Sequence, residues 1–182
     1  MALIEDGKGR GLKAEVNEEQ QLVVRAITEE EIEHASATLG SAYSWDSTEL
    51  DINTGDTMLF VKNTGDVPLV LDRALINGSN VICTWTLLIG SATTTPAGGA
   101  GVVGVNLNET FSSQLADAVA RSDETAVADG SIIARVKTPV TNTIEMNLHG
   151  VILGKGHYIQ FNQITESTSG SVILLGHFEL PS

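Results

Sequence analysis

The stretches TIEMNLH at residues 143–149 and HYIQFNQ at residues 157–163 decide the fold, because apolar and polar side chains alternate along each of them. Successive side chains of a β-strand point to opposite faces of its sheet, so each stretch has one dry face and one wet face. Gly154, Lys155 and Gly156 separate the two stretches and suit a structural turn. The pattern therefore predicts an antiparallel hairpin that lies over a core.

The chain from residue 41 onward is a series of short strand candidates separated by turn-rich breaks such as Asn63-Thr64-Gly65-Asp66. Regular short strands of this kind indicate an all-β fold, an antiparallel β-sandwich, rather than βαβ units. Residues 93–104 are rich in Gly, Thr and Pro and are expected to form a long surface loop, whereas residues 108–121 have a weak helical spacing. The expected strands lie near residues 41–45, 56–63, 67–76, 80–89, 101–107, 131–137, 143–153, 157–164 and 171–180.

Residues 1–40 differ in composition from residues 41–182, which form the predicted sandwich domain. Thr28 and Glu31 have the spacing of a capping box and predict one short helix that ends near Gly40. The rest of this N-terminal segment, with its short apolar runs, is too polar to bury a core, so we expect an arm that docks on another surface. The candidate interaction residues of the arm are its sizeable apolar side chains, Leu12, Leu22, Val23, Val24 and Ile27.

The composition narrows the classes of partner. The formal net charge is −13, and the excess of acid falls in residues 1–130, so nucleic acid is an unfavourable partner. Cys83 is the single cysteine of the sequence, so an internal disulfide is excluded. Cys83 alternates with apolar residues and is therefore expected in the core. No stretch is long and apolar enough for a membrane span, and the N-terminus has no basic start followed by an apolar run, so we expect synthesis without a signal peptide.

The search for chemistry predicts no catalytic residue, no cofactor and no metal site. The histidines at positions 34, 149, 157 and 177 have no His-x-His or Cys-x-x-Cys spacing, and a hairpin would hold His149 and His157 too far apart for one metal. Asp46, Glu49, Asp51 and Asp56 crowd one loop that could attract calcium, but their spacing favours a solvated acidic loop.

Four segments carry a resemblance over nearly the whole chain: GKGRGLKAEVNEEQQLVVRAITEEEIEHAS at 7–36, GGAGVVGVNLN at 98–108, LHGVILGKGHYIQFNQ at 148–163 and SVILLGHFEL at 171–180. In this order they resemble a family of small virion structural proteins of tailed bacteriophages, commonly head decoration or auxiliary capsid proteins. The resemblance implies a jelly-roll-like sandwich without enzyme activity that assembles on a particle. The turn at 153–156 also resembles the last hairpin of trimeric jelly rolls such as the tumour-necrosis-factor-like domains, an analogy of fold alone.

Three function classes follow from these observations. The first is a capsid decoration (cement) protein, a homotrimer whose arm binds the major capsid protein on the outer surface of a phage head, with no nucleic acid or membrane partner. The apolar side chains on both faces of Val172–Leu175 and at Ile132-Ile133 favour the oligomer. The second is a tail-associated or receptor-binding carbohydrate module that would stack sugars on Tyr43 and Trp45, since alternation predicts that Trp85 is buried. An enzyme built on a jelly roll is the third and the least supported.

Overall fold

Two antiparallel sheets face each other across one apolar core. The computed structural model describes residues 15–16, 22–23, 31–51, 53–78, 81–92, 95–125, 127, 130–165 and 169–179. The elements within these residues are, in chain order, β1 (Glu15–Val16), β2 (Leu22–Val23), α1 (Glu31–His34) with a π-helical continuation (Ala35–Leu39), β3 (Ala42–Asp46), β4 (Thr57–Asn63), β5 (Leu69–Gly78), β6 (Cys83–Ser91), β7 (Ala100–Val102), β8 (Val105–Asn106), a 3-10 turn (Glu109–Phe111), β9 (Ala118–Glu124), β10 (Ser131–Thr138), β11 (Thr143–Leu153), β12 (His157–Gln163) and β13 (Gly170–Phe178).

Eight of these strands form a jelly roll. The six-stranded sheet has the order β10-β6-β12-β4-β9-β7, and the five-stranded sheet has the order β11-β5-β13-β3-β8. When β3 to β6 and β10 to β13 are counted from one to eight, the two sheets read 5-4-7-2 and 6-3-8-1, which is the two-Greek-key pattern of a jelly roll. The expected all-β, jelly-roll-like sandwich is therefore confirmed.

The predicted hairpin between residues 143–149 and 157–163 is wrong. β11 pairs with β5 in the five-stranded sheet, whereas β12 pairs with β4 and β6 in the six-stranded sheet. The turn at Gly154, Lys155 and Gly156 therefore carries the chain from one sheet to the other. The alternation of side chains reports that a strand has a dry face, but it does not report which strand lies beside it.

Residues 92–130 are an excursion that leaves the jelly roll after β6 and returns to it at β10. β8 extends the five-stranded sheet beyond β3, and β9 and β7 extend the six-stranded sheet beyond β4. The expected loop at 93–104 therefore contains β7, and the helical spacing at 108–121 is wrong apart from the short 3-10 turn, because Ala118–Arg121 begins β9. Ala118 and Ala120 turn their small side chains toward the core, and they give little strand signal.

Two connections of this excursion cross the outer face of the six-stranded sheet. Three strands of the sheet, β12, β4 and β9, lie between β6 and β7, and β4, β12 and β6 lie between β9 and β10. In the connection from β6 to β7, Gly98 N donates to Glu124 Oε2 at 2.9 Å. In the connection from β9 to β10, the carbonyl of Val127 accepts a hydrogen bond from Gln160 Nε2 at 3.4 Å. Phe60 and Tyr158, whose rings are 5.0 Å apart, are consequently buried although they lie outside the inter-sheet core.

The helix belongs to the compact unit of the sandwich. The chain divides into two compact units, Met1–Glu30 and Glu31–Ser182, so the division lies ten residues before the boundary expected from composition. Ile32 and Ala35 bury themselves against Ala42 and Leu175 on the outer face of the five-stranded sheet. The helix ends at Gly40 as expected, with a φ of 61°. In the first unit, β1 and β2 pair antiparallel.

The core between the sheets is built from large side chains with few polar atoms. Trp45, Trp85 and Phe161 are fully buried, and the indole Nε1 of Trp85 donates to Thr138 Oγ1 at 3.1 Å. Cys83 is fully buried in the same core, as its alternation predicted.

Candidate functional site

The predicted interaction residues of the arm fall partly on described backbone. Leu22 and Val23 form β2, where they pair with Val16 and Glu15 of β1. Leu12, Val24 and Ile27, and the capping residue Thr28, lie outside the described residues. The interaction role of these five apolar residues stays a prediction.

The predicted structural turn has a different role from the one expected. Gly156 has a φ of 80°, and its N–H donates to the carbonyl of Asn63 at 2.8 Å, while its own carbonyl accepts from Ala92 N at 3.1 Å. His157 N closes the turn onto the carbonyl of Gly154 at 3.0 Å. Lys155 Nζ reaches Asp66 Oδ1 at 2.8 Å. The turn therefore ties together three connections at one end of the sandwich.

The aromatic residues considered for sugar stacking are buried. Trp45 and Trp85 have no exposed surface, and Tyr43 is 4% exposed. Tyr43 stacks edge-on against Phe178 with ring centroids 5.7 Å apart, and burial raises the pKa of its phenol above its ordinary value. A stacking platform needs an accessible ring face. Tyr43 and Trp45 therefore do not offer one.

The histidines lie on separate parts of the fold. His149 is exposed on β11 and His157 begins β12, so the two belong to different sheets. His177 is buried on β13, and its Nδ1 lies 3.1 Å from Asp72 Oδ2. Within the described residues, no three His, Cys, Asp or Glu side chains are grouped closely enough to hold a metal ion.

The acidic loop after β3 is held by its own hydrogen bonds. Asp46 Oδ1 accepts from Thr48 N at 2.8 Å, and Glu49 Oε1 accepts from Ser169 Oγ at 2.6 Å. These bonds direct the two carboxylates to different partners rather than to a common centre.

Exposed apolar side chains flank β8, at the edge of the five-stranded sheet. Val105 on β8 is 63% exposed, and Leu115 is 76% exposed. A groove of about 450 Å³ lies beside them between Leu39, Tyr43 and Leu115. A second exposed apolar set, including Ile132 and Ile133, lies on β10 at the opposite edge of the sandwich. The exposed apolar side chains around β8 are called the β8 flank below, and they are Leu39, Val103, Val105, Leu107 and Leu115.

A cleft of about 470 Å³ lies at the end of the sandwich where β4 and β6 finish. Two lysines border it. Lys62, on the outer face of β4, is only 7% exposed, and Lys155 projects from the turn into β12. The lining residues are Lys62, Asn63, Thr64, Ser91, Ala92, Lys155 and Gly156.

A signal for this cleft is present in the sequence. Lys62 directly follows the apolar run Met58–Val61, and every residue of β4 is buried. An apolar run without alternation indicates a strand covered on both faces. A lysine at the end of such a strand has a buried stem and can present its ammonium at the end of the sheet. The sequence did not predict that Lys62 and Lys155 line the same cleft, because the turn at 154–156 was expected to join two strands of one sheet.

Two further observations bear on function. In the part of the chain that the structure describes, no helix has the length and apolar character needed to cross a membrane. Comparisons with protein-family models, with curated proteins and with solved structures find no match.

Proposed function

We propose that this chain is a non-enzymatic virion structural protein that decorates the outside of a phage capsid. Its N-terminal arm binds the major capsid protein, and the protein is made in the host cytoplasm. The observation that carries the proposal is the division of the chain into a small N-terminal unit, Met1–Glu30, and a jelly roll. This division suits an attachment element joined to a stable body, and the sequence resemblance points to the same class of protein.

The small size of the β1–β2 pair supports attachment through the arm. Each strand has two residues, and a two-stranded ladder is marginal in water without further packing. Ordering a segment costs about 1–2 kcal/mol per residue, so a partner surface that receives the arm stabilises it. The pair contains three apolar residues, Val16, Leu22 and Val23, of which Leu22 and Val23 are the predicted interaction residues.

The exposed edge of β10 supports a homotrimer. Ile132 is 49% exposed and Ile133 is 39% exposed, and closed cyclic symmetry is the common way to bury an apolar patch. The apolar side chains of β13 give less support for an oligomer than those of β10. Val172 and Leu174 lie in the core, and Leu175 packs against the helix. The oligomer contact therefore rests on β10.

The proposal is tested on particles. We expect imaging of intact virions with the protein labelled to place many copies over the head, whereas a few copies on the tail would favour the receptor-binding alternative. Purified protein lacking residues 1–27 should keep the melting transition of the sandwich but fail to sediment with undecorated capsids. Unchanged capsid affinity of this truncated protein would exclude the arm as the attachment element.

Matched point variants separate attachment from assembly. A Leu22→Ser, Val23→Ser protein should lose capsid binding and keep its oligomeric mass in light scattering. An Ile132→Ser, Ile133→Ser protein should instead fall to a monomer. A wild-type protein that is monomeric at micromolar concentration would exclude the trimer.

A further inference from the structure

We propose that the cleft between Lys62 and Lys155 is a binding site for a carboxylate carried on a short aliphatic body. The site lies wholly within the jelly-roll unit and is independent of capsid attachment. Its chemistry follows from two lysine ammonium groups and the apolar side-chain surface that lines the same cleft.

Lys62 provides the first cation. Only 7% of the residue is exposed, and it borders the cleft. In the described part of the chain, the ammonium makes no hydrogen bond or ion pair. The buried part is therefore the aliphatic stem, which fixes the ammonium at the wall of the cleft, where an anion that enters can contact it.

Lys155 provides the exposed cation, and it already holds a carboxylate. Its Nζ lies 2.8 Å from Asp66 Oδ1, and this hydrogen bond, followed by the charge of Lys155, lowers the pKa of Asp66. Both side chains are mostly exposed, at 62% and 88%, so their ion pair contributes little stability. A ligand carboxylate can therefore take the place of Asp66 at modest cost.

The remaining lining groups define the body of the ligand. The methyl group of Ala92 and the aliphatic stems of the two lysines are apolar, and Ser91 adds a hydroxyl. A lysine ammonium is a compact charge with three donors, which suits a single carboxylate oxygen and does not demand the planar geometry that arginine requires. A volume of about 470 Å³ is within the usual range for small-ligand pockets. These features fit a glutamate-like group.

Such a carboxylate can come from a free dicarboxylate or from an acidic side chain of another polypeptide. Isothermal titration calorimetry on the full-length protein at low salt distinguishes the two sources, with glutarate in one arm and a hexaglutamate peptide in the other. Saturable binding in either arm supports the site, and the tighter arm identifies the source. The absence of saturable binding in both arms, or tighter binding of inorganic phosphate than of glutarate, overturns the proposal.

Four variants locate the binding. Lys62→Met and Lys155→Met should each weaken the affinity by at least tenfold, whereas Lys137→Met, which removes an exposed charge on β10, should change it by less than about twofold through screening. Asp66→Asn should tighten the affinity because it removes the internal competitor. Lys155→Met lies on an exposed turn, so it keeps the test valid if Lys62→Met does not fold. Equal losses for Lys137→Met and Lys155→Met would show a general charge effect and overturn the site.

Discussion

The side-chain amide of Asn63 joins the two sheets, because its Nδ2 donates to the carbonyl of Leu153 at 2.8 Å. Asn63 ends β4 in the six-stranded sheet, and Leu153 ends β11 in the five-stranded sheet. The same Nδ2 donates to the carbonyl of Val67 at 2.8 Å, while Oδ1 accepts from Gly65 N at 2.9 Å. One fully buried residue thus satisfies three backbone groups.

Replacing this amide should therefore be costly. We expect Asn63→Ala to lower the free energy of unfolding by about 3 kcal/mol, since it leaves buried polar groups without partners. Urea denaturation followed by tryptophan fluorescence measures the change. Asn142→Ala, at an exposed turn, should shift the same curve by about 0.5 kcal/mol or less. Equal effects of the two substitutions would contradict a role for Asn63 in joining the sheets.

Two glycines of the excursion should differ in their tolerance of a methyl group. A Cβ at Gly99 would lie 1.9 Å from the carbonyl oxygen of Ser122, whereas a Cβ at Gly101 would meet only Arg121 Nη1, at 3.8 Å. We expect Gly99→Ala to destabilise the protein by about 1–3 kcal/mol, because backbone must move to make room. Gly101→Ala should be close to neutral. Thermal melts of both variants provide the comparison, and a lower melting temperature for Gly101→Ala than for Gly99→Ala would refute the close approach.

An ion pair between the buried Glu124 and the partly exposed Arg121 should hold the connection from β6 to β7 in place. Arg121 Nε donates to Glu124 Oε1 at 2.9 Å, and Arg121 Nη2 donates to the carbonyl of Gly99 at 2.6 Å. Glu124 is 1% exposed. Glu124→Gln removes one charge of the pair and leaves Arg121 without its counter-ion. The substitution should therefore lower the free energy of unfolding by about 2–4 kcal/mol.

A double-mutant cycle with Arg121→Met tests this coupling. We expect the double variant to be less destabilised than the sum of the two single variants, because it leaves no stranded charge. Additive losses in urea denaturation would mean that the two side chains act independently.

The turn at Lys155 should control the titration of Asp66. Lys155→Met removes the hydrogen bond and the charge that lower the pKa of Asp66, so this pKa should rise toward its ordinary value. Carbon-13 NMR of the Asp66 carboxyl measures the midpoint, and Lys137→Met should leave it unchanged. Because the folded-state pKa is the lower one, the stability contribution of Asp66 is present at neutral pH. It is lost as the pH falls through the folded-state value, and its size is small since the carboxylate is exposed.

The limits of sequence reasoning are visible in β11 and β12. The alternation in residues 143–149 correctly predicted a strand whose Ile144, Met146 and Leu148 face the core. It could not predict the neighbouring strand, because a glycine turn serves a hairpin and a crossing between sheets equally well. The pairing is decided by the jelly-roll topology, which places β5 beside β11 and β4 beside β12.

The candidate site was missed for a related reason. The apolar run before Lys62 indicates a strand covered on both faces, but it does not show which part of the chain covers that strand. Lys155 reaches the same cleft only because the turn links the sheets. In contrast, the end of the helix at Gly40 depends on neighbouring residues, and the sequence predicted it. The local signals predicted the strands and the end of the helix, apart from the helical spacing at residues 108–121, whereas features made by topology were missed.

The excursion of residues 92–130 makes the fold modular. β6 and β10 are direct neighbours in the six-stranded sheet, with Ile89 opposite Ser131, so the two ends of the excursion emerge side by side. A short turn between Ser91 and Ser131 could close the eight-stranded roll by itself. Natural variation or protein engineering can therefore lengthen, shorten or replace this segment, which carries most of the β8 flank, while the strand order of the roll is retained.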